Sequence, residues 1–443
     1  MSSVILCASP MDGHIAPMLG VAAFLRENGH RVRFLTGARY ESAVRRTGAE
    51  FLALPAESDL TDDAIEAGRQ QDGERVTGPK AMALNIKRIF LDPAAGQYRT
   101  LLAAIAAEHT DAVLAENAFV GAAALALSSA EGRPAVIACG VLPLGLCSVD
   151  TAPFGLGLPP RSDLVGRLRN RFLNAAARHV ILRVPQKQAE RTVRELTGNP
   201  LDVFFTDWTR YADHFAQFTV PGFEYPRRDL PSHVHFLGPA ARLAPAAAAL
   251  PDWWHELDGS RPVVHVTQGT IANDDLDELI LPTIRALADE DVLVVVSTGG
   301  RPVEALGVLP ANVRAAEFLP YDRLMPLIDV FVSNGGYGGL HFALEHGVPI
   351  VAAGDIEDKL ETTARVAWSG VGVNLKTGTP TDAAVGAAVR TVLNDGSYRR
   401  HAERIRDEIA ASQGVAGIVP LIEQGRRLPS EARGGERRPA LHG

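Results

Sequence analysis

The first residues that could do chemistry stand near the start of the chain, in "MDGHIAPML" (11–19). There one histidine, His14, sits between an apolar stretch, "SVILCAS" (3–9), and a helical pattern. An imidazole titrates near neutrality, so it suits removal of a proton from a hydroxyl as a new bond forms. The second set is "SNGGYGGLHFALEHGVPI" (333–350), in which Gly335, Gly336, Gly338 and Gly339 surround one tyrosine. They lie between an apolar strand, "DVFVS" (329–333), and a helix expected to run from near Gly339 to a stop at Gly347. Glycine in such a turn costs conformational entropy, and a tight strand–helix turn explains one or two glycines but not four. Bare peptide N–H groups at a helix N-terminus form an anion site, and a pyrophosphate is the ligand this pattern predicts. A second turn, "TQGT" (267–270), which includes Gly269 and Thr270, follows the strand "PVVHVT" (262–267). Alone it reads equally as an ordinary strand–helix loop or a phosphate turn; beside 335–339 in one sheet it lets a diphosphate span two turns.

Other phosphate chemistries lack their residues. There is no G-x-x-x-x-G-K-[ST], and no G-x-G-x-x-G follows the first strand, which weighs against NTPase and dinucleotide-dehydrogenase readings. His265, His341 and His346 have no metal-ligand spacing and read as structural.

The elements that must position these residues alternate strand with helix. "SVILCAS", "RVRFLT" (31–36), "EFLALP" (50–55), "DAVLAE" (111–116) and "PAVIAC" (134–139) are β-rich, with amphipathic stretches such as "MLGVAAFLRENG" (18–29) between them. The alternation recurs in "PVVHVT", "DVLVVVS" (291–297), "VRAAE" (313–317), "DVFVS", "VPIVAA" (348–353) and "VGVNL" (371–375). Such repetition predicts an α/β molecule of two doubly wound, Rossmann-like domains facing each other across a cleft, with ligands beyond the carboxyl ends of the strands. Residues 1–238 form the expected N-terminal domain and the Pro/Ala-rich 239–260 the linker. Residues 261–425 form the second domain, whose final helices can return to the first, and 426–443 is a polar tail expected to be disordered. Residues 164–198 read as one or two longer amphipathic helices.

Composition bounds the function. The 443 residues are 46% hydrophobic and 22% charged, enough for two cores, and the net charge of −8 argues against a nucleic-acid partner. Three cysteines, two of them in strand-like runs, suit buried thiols in a reducing, cytoplasmic compartment. The N-terminus lacks the basic region of a signal peptide, and no apolar run is long enough to span a membrane.

From "PMDGHIAPMLG" (10–20) to about residue 424 the chain resembles the nucleotide-sugar-dependent glycosyltransferases of the two-Rossmann-domain (GT-B) fold, family 1, especially bacterial natural-product and macrolide-type enzymes. The resemblance is densest in "EFLPYDRLMPLIDVFVSNGGYGGLHFALEHGVPIVAAGDIEDK" (317–359). The family pattern there is aromatic-x-P-Q, about a dozen residues, H-x-G-x-x-S-x-x-E, G-V-P and D-Q. The resemblance implies that Phe318 stacks on the nucleobase and that the Leu319 backbone meets the base edge. It makes Asn334 to Gly339 the phosphate segment with Gly269 and Thr270 as partner turn, and has Asp358 and Lys359 read the donor sugar. The match of "DGHIAP" to the family's G-H-x-x-P segment makes His14 the base, and Glu116, ending the strand "DAVLA", its orienting carboxylate in place of the usual aspartate. The chain departs from the pattern at Asn334 (usually histidine), Gly339 (serine), Phe342 (glutamate), and Tyr321 and Lys359 (glutamine). Lys359 could compensate for the uncharged Asn334 as a point charge near the diphosphate.

One base on the acceptor side and a diphosphate leaving on the other imply direct displacement with inversion at the anomeric carbon. Helix amides and Thr270 would take up the departing charge, with no metal or other cofactor demanded. The implied donor is a UDP- or dTDP-sugar and the acceptor a hydrophobic small molecule. The acceptor pocket is expected from 56–95, Phe119, "CGVLPLGLCSV" (139–149) with Leu142, and the helices at 164–190; polar residues 56–80 suit a mobile loop over it. Two further readings stay open at this point: a nucleotide-sugar epimerase on the same fold, and a non-catalytic nucleotide-sugar-binding or auxiliary homologue, motivated by the losses at Asn334, Gly339 and Phe342.

Overall fold

Strands covered on both faces are largely apolar, and Val263–Thr267 reads VVHVT with all five residues buried, His265 meeting the Val295 carbonyl at 2.9 Å. The computed structural model describes residues 1–60, 79–128, 132–242, 250–270, 273–356 and 358–427. Most of the expected mobile loop, part of the linker and nearly all of the tail lie outside these residues. Strands β1 (Ser3–Cys7), β2 (Arg31–Thr36), β3 (Glu50–Ala53), β4 (Ala112–Glu116), β5 (Ala135–Gly140), β6 (His214–Gln217) and β7 (Val234–Phe236) form one sheet in the order β3-β2-β1-β4-β5-β6-β7. A second sheet has the order β10-β9-β8-β11-β12-β13, built from β8 (Val263–Thr267), β9 (Leu293–Ser297), β10 (Val313–Ala316), β11 (Val330–Ser333), β12 (Ile350–Ala352) and β13 (Gly372–Asn374). Every pairing in both is parallel.

The helices that matter for the site are α1 (Asp12–Glu27), α2 (Leu164–Ala176), α3 (Arg183–Thr197), α4 (Tyr337–Glu345), α5 (Lys359–Ser369), α6 (Gly396–Ala410) and α7 (Ile418–Arg427). Two starts differ from expectation. Helix α1 begins at Asp12, whose carboxylate suits the positive end of the helix dipole, so His14 lies in the first turn rather than ahead of it. Pro17 is then the sixth helical residue and removes the N–H that would meet the Gly13 carbonyl; it does not occupy the harmless first turn. Helix α4 begins at Tyr337 rather than near Gly339, which puts Gly338 and Gly339 in its opening turn.

Alternate residues of β1 feed opposite cores. Ile5 and Cys7 join Phe119 and Trp208 on one face. Val4 and Leu6 join Met18 of α1 and Ile418, Leu421 and Ile422 of α7 on the other, so the last described helix packs on the first sheet. Buried polar contacts tie the two halves together. The Arg365 guanidinium of α5 lies 2.6 Å from Glu224 and 2.8 Å from Glu361. Glu361 accepts the Gly155 and Gly157 N–H groups at 2.8 and 3.0 Å, and His341 Nε2 meets the Thr219 hydroxyl at 2.9 Å. Burial alone would raise the Glu224 pKa, but Arg365 and Arg227 hold it below the ordinary carboxylate value.

Candidate active site

In a doubly wound sheet the strand order reverses at one point, and the crevice beyond the strand ends there accepts ligands. In the first sheet that point lies between β1 and β4, where Cys7 pairs with Ala115. His14 follows β1 and Glu116 ends β4, so the fold brings together two residues 102 positions apart: His14 Nδ1 lies 2.8 Å from Glu116 Oε2. Glu116 is wholly enclosed, yet each of its oxygens has a backbone donor, Ser9 N–H to Oε1 at 3.1 Å and Ala118 N–H to Oε2 at 2.7 Å. Burial by itself would raise its pKa; the charge and hydrogen bond of His14, with these amides, bring it below the ordinary value. An ionised carboxylate on Nδ1 fixes the tautomer, so the lone pair sits on Nε2, which points away from the glutamate. The imidazole is largely buried, with the Phe90 ring centroid 6.3 Å from its own.

In the second sheet the reversal lies between β8 and β11, where Ser333 pairs with Thr267. The turns after these strands are therefore neighbours, and Asn334 Nδ2 donates to the Gln268 carbonyl to join them. Gln268 itself is held by Ile280 N–H at 3.0 Å and the Asp275 carbonyl at 2.8 Å.

The glycines divide by cause. Gly335 has φ +86°, and a Cβ there would come within 2.7 Å of Thr363 Cγ2, so the protein itself requires it. Gly269, also at positive φ, and Gly338 have no heavy atom within 4 Å of a hypothetical Cβ, and the nearest to Gly336 is Asn334 Oδ1 at 3.8 Å. At Gly336 and Gly338 no protein contact demands glycine; the open space lies over the first turn of α4, whose leading N–H groups have no intrahelical acceptor.

Helix α5 starts against this turn. Thr362 donates to the Gly335 carbonyl at 2.6 Å, and the buried stem of Lys359 crosses Gly354, where a Cβ would meet Lys359 Cβ at 2.9 Å and the Asn334 carbonyl at 2.4 Å. Asp358 caps α5 by position, its carbonyl accepting from Glu361 and Thr362. Phe318 is 60% exposed and lies over Gly300, where a Cβ would be 3.0 Å from Phe318 Cζ, while Leu319 is buried in the core. Thr270 is exposed at the rim of its turn.

Other positions behave differently from their family counterparts. The Tyr321 hydroxyl turns inward to His265 Nε2 at 3.1 Å and Ser297 Oγ at 3.0 Å. Phe342 lies beneath the Arg242 guanidinium, 3.4 Å from the ring centroid, and Arg242 pairs with Glu345. Phe119, expected in the acceptor pocket, is completely enclosed beside Trp208 in the first-sheet core, because it opens the turn that seats the buried, alanine-rich residues 121–126 on the sheet. Leu142 is half-buried, and its carbonyl accepts Gln217 Nε2 at 2.8 Å.

Sequence reasoning missed Asn273, Gly299 with Gly300, and Gly354. Asn273 Nδ2 reaches the carbonyls of Gly269, Thr298 and Gly299 at 3.1, 2.9 and 3.0 Å, clamping the β8 turn to the β9 turn. The paired glycines in "STGG" (297–300), at the end of a strand neighbouring β8, were the available signal. Nothing in the local sequence marks Asn273. Among the described residues no group of His, Cys, Asp or Glu could hold a metal ion, and no helix is long and apolar enough to cross a membrane.

Two parallel sheets with chemistry gathered at both reversal points define a two-Rossmann-domain, GT-B molecule. Comparison with solved structures gives the same architecture. A glycosyltransferase of kitacinnamycin superposes with a TM-score of 0.72 at 21% identity, covering 96% of this chain and 98% of that one. A Streptomyces sp. SF2575 glycosyltransferase complexed with thymidine diphosphate gives 0.65 at 20% identity, covering 96% and 100%. Residues 281–424 match the family described as "Erythromycin biosynthesis protein CIII-like, C-terminal domain". The 4'-demethylrebeccamycin synthase of Lentzea aerocolonigenes is 44% identical over 423 residues, 95% of this chain and 98% of that protein. The chain belongs to the family 1 nucleotide-sugar-dependent glycosyltransferases of the GT-B fold, alongside the bacterial natural-product enzymes.

Proposed function

We propose that the protein transfers a sugar, with inversion, from a UDP- or dTDP-sugar to a hydroxyl of a hydrophobic small-molecule natural product. In this reading His14 Nε2 takes the hydroxyl proton as the oxygen attacks the anomeric carbon, and Glu116 stabilises the imidazolium that forms. The N–H groups of Gly336, Gly338 and Gly339, with Gly269 and Thr270, hold the diphosphate and take up its charge as it leaves. Lys359 adds a positive charge beside Asn334, and Asp358 reads a sugar hydroxyl. Phe318, over Gly300, offers its face to the base, with the Leu319 backbone at the base edge. The acceptor lies against the 139–149 segment near Leu142. Neither the diphosphate nor the proton transfer requires a metal in this scheme.

The observation that carries the proposal is the buried His14–Glu116 pair, 2.8 Å apart at the reversal point of the first sheet. A carboxylate ionised inside a core is costly unless it is paired and hydrogen-bonded, and here an imidazole and two backbone N–H groups satisfy it. The test is product formation, read by mass spectrometry, with UDP- and dTDP-sugars and an acceptor panel that includes the substrate of the 4'-demethylrebeccamycin synthase. Transfer by the native chain and a loss of about 10²-fold or more in kcat for His14→Ala is the expected outcome. Unchanged transfer by His14→Ala would remove the base; donor binding without transfer to any acceptor would favour a binding module, and donor isomerisation without an acceptor an epimerase.

A further inference from the structure

Helix α2 is inside out. Its packed side presents small and polar residues: Gly166 and Asn170 are buried, Asn170 Nδ2 donates to the Val149 carbonyl at 3.0 Å, and Asn174 Nδ2 to the Thr151 carbonyl at 3.1 Å. Its outer side carries Leu164, Leu168 and Phe172, four residues apart and 81%, 71% and 70% exposed. Residues spaced by four form one stripe along a helix. Val180 in the segment that joins α2 to α3, and Val184 in the first turn of α3, extend the exposed apolar surface. The cations are as unusual. Between Leu164 and Ala189 the chain has Arg167, Arg169, Arg171, Arg178, Arg183 and Lys187 and no aspartate or glutamate, in a protein of net charge −8.

We propose that this face docks the enzyme on an anionic phospholipid surface. Apolar side chains flanked by arginines on an exposed helix are the means by which a helix lies in a bilayer interface, its apolar stripe among the acyl chains and its cations at the phosphates. The occupant is extended rather than a small-molecule acceptor, because the exposed apolar residues run along α2 from Leu164 to Phe172 and continue beyond the joining turn to Val184 of α3. A two-fold contact with a second copy would set these six cations against their own images. Among the carbonyls gripped by Asn170 and Asn174, Val149 and Ser148 close the 139–149 segment and Thr151 follows it, so docking would bring the acceptor side of the enzyme to the phase in which a hydrophobic acceptor dissolves. That consequence rests on the proposed acceptor site; the docking does not.

The experiment is co-sedimentation of the full chain with vesicles of phosphatidylcholine, with and without phosphatidylglycerol, at low and high salt. Selective binding to the anionic vesicles is expected, weakened by salt. Arg167→Gln with Arg171→Gln should cost about fivefold per arginine in the partition coefficient. Leu168→Ser with Phe172→Ser should abolish binding while leaving the melting temperature nearly unchanged, since both side chains are about 70% exposed. Equal affinity for neutral vesicles, binding unaffected by either double variant, or no vesicle binding with capture by polyglutamate instead would each overturn the proposal. So would a dimer in sedimentation velocity that the serine variant dissociates.

Discussion

At the residue scale the account separates two kinds of glycine, and that separation can be measured. Gly335→Ala forces a side chain into φ +86° against Thr363, so a stability loss of about 1–3 kcal/mol in denaturant unfolding is expected. Gly338→Ala meets no protein atom within 4 Å and sits in a helical turn, so stability should hold or rise by up to about 1 kcal/mol while affinity for a nucleotide diphosphate, measured by calorimetry, falls. Equal donor affinity in Gly338→Ala would mean that the open space over α4 is not where the ligand sits. Glu116→Gln keeps the shape of the orienting group but removes its charge. A loss on the order of 10²-fold in kcat with little change in donor Kd is expected, because Nδ1 would no longer be held as the donor. Glu116 is held below the ordinary carboxylate value, so it stays ionised across the neutral range and its protonation should not limit the native rate near pH 7.

At the scale of elements, α5 links the two halves through the Arg365 guanidinium and the Glu361 carboxylate. Arg365→Ala leaves Glu224 buried without its main partner, so a loss of about 3–5 kcal/mol is expected, with Arg365→Lys recovering only part because an ammonium cannot serve Glu224 and Glu361 in the same fork. The same helix begins beside the glycine turn, so the donor Kd should rise in Arg365→Lys; a normal Kd would show that α5 does not transmit the interface to the turn. This scale also shows what could be read in advance. Apolar strand runs and the Gly335–Gly339 pattern mark strands and turns directly, because burial on two faces and missing Cβ atoms leave compositional traces. The starts of α1 and α4 were misplaced, since Asp12 and Tyr337 are compatible with loop or helix until packing decides. Asn273 was invisible because its work is done by hydrogen bonds to carbonyls 25 and 26 residues away. Phe119 misled for a related reason, as an aromatic after a strand end is equally suited to a pocket wall or a core.

At the scale of the molecule, two buried histidines outside the proposed chemistry set an acid limit to stability. Burial lowers His265 and His341 to about 4, so both are neutral in the folded protein at pH 7. In the unfolded chain they titrate near 6.5 and bind protons first as pH falls. Their contribution is therefore whole above about pH 6.5 and is lost on the way down toward 4, by about 3 kcal/mol for each. The melting temperature should fall through that window, and His341→Gln, which keeps a partner for Thr219, should flatten the slope. A flat profile between pH 7 and 4.5 in the native chain would contradict it. The arrangement as a whole puts the His14–Glu116 pair at the reversal point of one sheet and the glycine turns at that of the other, each built by strands adjacent in space and remote in sequence.

The most direct test of the central claim is a crystal structure of the protein with a nucleotide diphosphate. The account predicts phosphate oxygens within hydrogen-bonding distance of the N–H groups at 336–339 and of the 269–270 turn, with the base against Phe318. A diphosphate bound elsewhere, or those N–H groups closed off by protein atoms in the complex, would contradict it.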